Sequence, residues 1–204
     1  MKLDILNENQ SIMLPKLAIF DDFYLVGGTA IALQIGHRQS IDFDLFTNND
    51  FQNSKIIEKL GNIGLSVSNI LVDEVNQIQL IADSVKLTFL KFPFALEGVK
   101  NSEIGLKMPS LLYLSAMKAH TLGRRGKWKD YVDLYELLHI FSILEISGKT
   151  EQIFKNEYNA KLFFTQLGYF EDLDRSESVV FMPNFEKSDD EIRDFLLKKS
   201  IEIE

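Results

Sequence analysis

A short apolar run, Phe23-Tyr24-Leu25-Val26, ends abruptly at Gly27-Gly28, and this junction constrains the fold more than any other feature. An apolar run stopped by glycines reads as a buried strand ending in a turn. Thr29 to Ile35 then reads as a short helix with Gly36 as its stop. Ile41 to Phe46 follows, alternating apolar and acidic residues with the period of a strand. Side chains at i and i+2 of a strand share a face. Asp42 and Asp44 therefore project together, with Ile41, Phe43 and Leu45 on the other side.

Two carboxylates held that close repel each other and favour a cation between them. Hard oxygen ligands suit Mg²⁺, which typically sits on one or two carboxylates plus substrate phosphates. The glycine pair lets backbone approach a phosphate closely, and a helix starting at Thr29 aims free N–H groups and its dipole at an anion. Gly27, Gly28 and Thr29 are thus candidates to cradle a triphosphate beside a metal held by Asp42 and Asp44. Alone, the glycine pair reads more readily as a plain turn and the Asp-x-Asp more readily as a solvated face of an edge strand. Both in this order, on these elements, are far more specific. His37 and Arg38 lie between them and are candidates for contacting substrate or for a helix-end role.

Further along, residues 51–60 read as a helix, and Leu65–Leu71, Val75–Ala82 and Val85–Phe92 as strands, the first two joined by Asp73-Glu74. The second half reads as helical: Pro109 to about Gly123, Lys129–Ile140, one or two helices within Leu144–Leu167, and a last one opened by Ser188 and Glu191 as a capping box. Residues 98–108 are the expected junction and 171–186 the expected irregular segment. The fold class expected is α+β, a small mixed β-sheet with flanking helices followed by a helical half, with domains at 1–100 and 101–204.

Composition narrows the chemistry. Cysteine is absent, which excludes disulfides, thiol catalysis and cysteine-ligated metals. Three histidines, His37, His120 and His139, do not suggest a multi-histidine metal site; the last two read as structural. Neither a secretion signal at the N-terminus nor an apolar run of roughly 18 residues appears, so a cytoplasmic protein without membrane contact is expected. The net charge of −8 disfavours nucleic acid at first sight, but it is uneven. Residues 171–204 hold 11 acidic and 5 basic residues, whereas Lys118, Arg124, Arg125, Lys127 and Lys129 form a basic knot with no acid between them. Lys118 and Arg125 share a helical face, and Asp130 and Asp133, at i and i+3, share the next. Trp128 reads as a packing anchor in that knot, with base stacking as the weaker alternative.

Apolar-Gly-Gly-Thr, a helix, then Asp-apolar-Asp-apolar resembles the opening signature of the DNA polymerase β-type nucleotidyltransferase superfamily. The longer string, from Leu25-Val26-Gly27-Gly28-Thr29-Ala30 through Gly36-His37-Arg38-Gln39-Ser40-Ile41 to Asp42-Phe43-Asp44-Leu45-Phe46, resembles the AbiEii/AbiGii-toxin nucleotidyltransferase family. Lys118 to Tyr135 is similar to that family's lysine, arginine and Asp-x-x-Asp-Leu block, so the resemblance spans roughly residues 20 to 140. It implies a nucleotidyltransferase-like core and transfer of a nucleoside monophosphate from a nucleoside triphosphate to an acceptor hydroxyl, with Mg²⁺ or Mn²⁺ as cofactor. It assigns Asp42 and Asp44 to the metal, Gly27, Gly28, Thr29 and Arg38 to the nucleotide, and Lys118 and Arg125 to phosphate charge. Asp130 or Asp133 would orient or deprotonate the acceptor. It also implies an RNA 3′ end, notably tRNA, or a protein side chain as acceptor, and a cognate antitoxin. Such enzymes carry a third carboxylate on a later strand. The aligned position is Thr88, which cannot replace a carboxylate as ligand or base. Either the alignment slips, or Asp130 or Asp133 supplies that charge, or activity is weakened. A nucleotide-binding module without transfer is thus the alternative, and an interaction protein with a surface Asp pair a third reading.

Overall fold

The computed structural model describes every residue except Gly123, Arg125, Ile203 and Glu204. The chain divides into two compact units, Met1–Pro109 and Ser110–Glu204.

After a short 3-10 turn at Leu3–Ile5, the first unit continues with helix α1 (Glu8–Met13), opened by a capping box between Asn7 and Gln10. There follow β1 (Tyr24–Val26), α2 (Gly27–Ile35), β2 (Asp42–Thr47), α3 (Asn53–Asn62), β3 (Val67–Glu74), β4 (Gln77–Ala82), β5 (Val85–Lys91), β6 (Val99–Lys100) and β7 (Lys107–Met108). The strands form one mixed sheet in the order β3-β4-β5-β2-β1-β7-β6. β2 runs parallel to β5 and β1 parallel to β7; β1–β2, β3–β4, β4–β5 and β6–β7 are antiparallel.

Alternation decides which side of this sheet is core. Register places Leu25 beside Leu45, Leu45 beside Phe89, Phe43 beside Leu87, and Leu80 and Ile78 beside Leu87 and Phe89. All seven side chains are fully buried. Phe20 and Phe23 close over Phe89 at 4.8 and 5.3 Å between ring centroids. Removing one such ring, as in Phe43→Ala, costs about 3–5 kcal/mol. Because that face is apolar, the odd residues of the alternation, Asp42 and Asp44, are forced onto the opposite face.

Three details differ from the sequence expectation. α2 begins at Gly27, directly at the end of β1, so both glycines lie within its first turn. Asp73 and Glu74 end β3, and the turn to β4 is Val75-Asn76, where Asn76 takes the left-handed conformation at φ 60°. Asparagine tolerates that conformation better than β-branched residues such as Val75 do. Residues 98–108 contain β6 and β7, which extend the sheet beside β1. Elements two residues long carry no periodicity to read.

The second unit is helical: α4 (Leu111–Leu122), α5 (Trp128–Ile140), α6 (Ile143–Phe154), α7 (Ala160–Leu167) and α8 (Asp189–Ile201). Ser142, Asn159 and Ser188 cap α6, α7 and α8 through their side chains. α4 packs on α5, α6 and α7, and α8 packs on α5 and α7. Residues 171–186 hold no helix, yet they are tied down. The Trp128 N–H donates to the Asp174 carbonyl at 3.0 Å, and the Asp174 N–H to the Gly126 carbonyl at 2.8 Å. The Arg175 guanidinium lies 4.2 Å over the Trp128 ring. Among the described residues no helix is long and apolar enough to cross a membrane.

Candidate active site

In the first unit the site grows from the junction of β1, α2 and β2. Val26 pairs with Asp44 across β1–β2, and Gly27 follows at φ +71°, in the left-handed region. A Cβ on Gly27 would collide with the Asp44 carboxylate and lie 3.3 Å from its Cγ and 3.4 Å from its Cβ. Glycine is therefore required twice over here, by the backbone conformation and by the approach of a carboxylate to the first turn of α2. That first turn is where unsatisfied helix N–H groups gather. The acid, the glycine and a ready anion cradle are thus brought together by one strand pairing.

Thr29 plays a different part from the one its sequence position suggests. Its side chain is buried, its hydroxyl donates to the Asp42 carbonyl and lies 2.7 Å from the Ser40 hydroxyl. The hydroxyl ties α2 to the start of β2, which leaves the backbone N–H as what Thr29 offers an anion. His37 and Arg38, between α2 and β2, are also buried, and Arg38 donates through Nη1 to the Gln39 carbonyl at 2.9 Å.

The neighbouring strand completes this face. In the parallel β2–β5 pairing, Asp44 lies opposite Thr88 and Asp42 opposite Lys86. Thr88 is buried at 6% exposure, whereas Lys86 is exposed. The register thus sets a threonine beside the carboxylates where a third acid would be expected. Among the described residues no three His, Asp or Glu side chains come together as a metal cage. Asp42 and Asp44 are a pair of hard oxygen donors on one face, a set that fits Mg²⁺ with substrate phosphates as its remaining ligands. Lys86 alternates with Thr88 along β5, the period-two signal that puts both on the face of the acids.

In the second unit the structure gathers Lys118, Asp130 and Asp133. Lys118 Nζ, on α4, lies 2.5 Å from Asp130 and 2.8 Å from Asp133, both on α5. The lysine side chain is 7% exposed and the two acids are fully buried. The i and i+3 spacing of the acids lets one ammonium meet both. Arg125, the other cation expected to act with Lys118, lies outside the described residues.

The rest of the basic knot is engaged locally. Glu177 accepts from Lys127 at 2.6 Å and from Lys129. Burial pushes the Glu177 carboxyl up, but the two lysine hydrogen bonds outweigh it and hold it down at about 2. The His120 ring stacks on Phe154, 3.8 Å between centroids. Burial, and then the Arg124 charge, hold its pKa down at about 4, so it is neutral at neutral pH. His139 stacks on Phe195 at 4.2 Å with Nδ1 2.8 Å from the Tyr135 carbonyl.

This architecture recurs in solved proteins. The MenT4 nucleotidyltransferase toxin of Mycobacterium tuberculosis H37Rv aligns over 93% of this chain and 79% of its own, at 14% identity and TM-score 0.65. JHP933 from Helicobacter pylori aligns over 96% of this chain and 91% of its own, at 14% identity and TM-score 0.57. The fold is thus nucleotidyltransferase-like. An uncharacterised protein of Aquifex aeolicus (strain VF5), aq_aa25, is 30% identical over 165 residues, 76% of this chain and 77% of the relative. Residues 12–89 match the family described as nucleotidyl transferase AbiEii toxin, Type IV TA system, which takes in Gly27, Asp42, Asp44 and Thr88. The chain belongs to this AbiEii nucleotidyltransferase toxin family.

Proposed function

We propose that the chain transfers a nucleoside monophosphate from a nucleoside triphosphate to an acceptor hydroxyl, with Mg²⁺ or Mn²⁺ as cofactor. The observation that carries this reading is the close approach of Gly27 to the Asp44 carboxylate, with Asp42 on the same face. Asp42 and Asp44 hold the divalent cation, which when bound polarises phosphoryl oxygen and offsets charge on the triphosphate. The backbone N–H groups of Gly27, Gly28 and Thr29 orient the β- and γ-phosphates, aided by the α2 dipole. Arg38 supports the nucleotide end of the site.

In the reaction, the acceptor oxygen forms a bond to the α-phosphorus while the bond from that phosphorus to the β-bridging oxygen breaks. Pyrophosphate leaves, and the hydroxyl proton passes to a carboxylate. The reading assigns that carboxylate to Asp130 or Asp133, and the charge on the departing phosphates to Lys118 and Arg125. The toxin family, described as a Type IV TA system, and the description of MenT4 as a nucleotidyltransferase toxin support a toxin role; the reading adds a cognate antitoxin as partner and the cytoplasm as the compartment. An RNA 3′ end, such as that of tRNA, is the acceptor favoured by the family resemblance; a protein side chain fits the same chemistry.

Thr88 opposite Asp44 favours a second reading, nucleotide binding without transfer. Incubation with each α-labelled nucleoside triphosphate, Mg²⁺ or Mn²⁺ and cell extract separates the two. Label in an RNA or protein band with the wild type, and none with Asp44→Asn, supports transfer. Nucleotide binding without any labelled band supports the second reading.

A further inference from the structure

We infer that Lys86 is a triphosphate-binding residue that takes the place of a second metal ion, making this a one-cation site. The inference rests on the nucleotidyltransferase reading and deepens it. Its basis is the β2–β5 register, in which the two residues of β5 beside the carboxylates are Lys86, opposite Asp42, and Thr88, opposite Asp44. Parallel neighbours in a sheet stand about 5 Å apart and direct paired side chains to the same face. Lys86 is exposed, and among the described residues no side-chain hydrogen bond or ion pair engages it. Its exposure and its register beside Asp42 leave a solvent-accessible cation next to the acids.

Charge balance explains why a lysine belongs there. Two-metal phosphoryl-transfer sites hold their pair of cations about 3.5–4 Å apart as a clamp on the reacting oxygens. Three carboxylates with two divalent cations leave one net positive charge for the triphosphate. Two carboxylates with one divalent cation and Lys86 leave the same. Thr88 removes the acid that a second cation would need, and Lys86 returns the positive charge as a fixed ammonium. A lysine meets phosphate as a point charge and needs no metal to do so.

Triphosphate binding without turnover tests this. Affinity for ATP, GTP, CTP and UTP is measured by calorimetry on the full chain, in EDTA and in Mg²⁺, for wild type, Lys86→Met, Lys86→Arg and Asp44→Asn. Bound Mn²⁺ is counted by paramagnetic resonance with a non-hydrolysable triphosphate. The inference expects the wild type to retain binding in EDTA. Lys86→Met should weaken it about tenfold, as loss of a charge-assisted phosphate contact implies. Lys86→Arg should retain it, Asp44→Asn should lose only the gain from Mg²⁺, and one Mn²⁺ should be found per complex. Equal affinity of Lys86→Met and wild type in EDTA, or two Mn²⁺ per complex, overturns the inference while the nucleotidyltransferase reading stands. Failure of the wild type to bind any triphosphate in either condition overturns both. An unchanged melting curve for Lys86→Met, expected for an exposed residue, confirms that binding alone is read.

Discussion

Gly27→Ala isolates the contact on which the site is built, because the fold contains its own control. Gly27 and Gly64 both take φ +71°. At Gly64 a Cβ would meet nothing within 4 Å; at Gly27 it would collide with the Asp44 carboxylate. The left-handed conformation costs a non-glycine residue about 1–2 kcal/mol. Stiffening of the unfolded chain offsets about 0.4–1 kcal/mol of that. Gly64→Ala should therefore lose about 1 kcal/mol, a fall of about 2–4 °C in melting temperature, with nucleotide binding untouched. Gly27→Ala carries the same backbone cost, and the Asp44 carboxylate must also turn aside. Rotating a short side chain off its preferred angle adds only about 0.5–1.5 kcal/mol. The larger effect falls on the site, since displacing a metal-holding carboxylate costs about tenfold or more in metal affinity. Urea unfolding and Mg²⁺-dependent triphosphate binding, measured on both variants, read the two effects apart. If Gly27→Ala and Gly64→Ala bind triphosphate equally well in Mg²⁺, the approach of Gly27 to Asp44 does not shape the site.

Two further outcomes follow from the second unit. Lys118→Met leaves the buried Asp130 and Asp133 without the ammonium that both contact, and should cost about 3–5 kcal/mol in urea unfolding; a loss below about 1 kcal/mol would contradict a buried ionic cluster. Folded His120 stays neutral down to about 4, whereas its ordinary value is 6.5. The unfolded chain therefore binds more protons between these values, and stability present above pH 6.5 is lost as the pH falls towards 4. The residue is half-buried, and solvent screening limits the loss to about 1–2 kcal/mol. His120→Leu should flatten the urea midpoint between pH 7 and 4.5, and a pH dependence equal to that of wild type would refute the assignment.

The parts of the molecule legible in the sequence are those set by local pattern. The alternation of Asp42-Phe43-Asp44-Leu45 names both faces of β2, and the structure buries Phe43 and Leu45 while leaving the acids on the other side. Gly36 ends α2 in the left-handed conformation that only glycine adopts freely. Long-range pairing was less accessible. Local pattern gives no contact between α4 and α5, so Lys118 and its two acids read as separate actors until packing joined them. Thr29 stands at the phosphate turn in sequence, yet its hydroxyl turns inward because Asp42 and Ser40 lie beneath it. Lys86 gained meaning only through β-strand register, which sets Asp42 beside it. Glu177, far along an irregular stretch, reaches back to Lys127 and Lys129 through contacts that no periodicity encodes.

The central claim is that Asp42 and Asp44 organise nucleotidyl transfer, and pyrophosphate release measures it most directly. Wild type and Asp44→Asn, matched for melting temperature, are mixed with the four nucleoside triphosphates, Mg²⁺ and cell extract. The account predicts pyrophosphate from the wild type in equal amount to the nucleotide incorporated, and none above background from Asp44→Asn. Equal release from both proteins, or nucleotide binding by the wild type with no release at all, would contradict it.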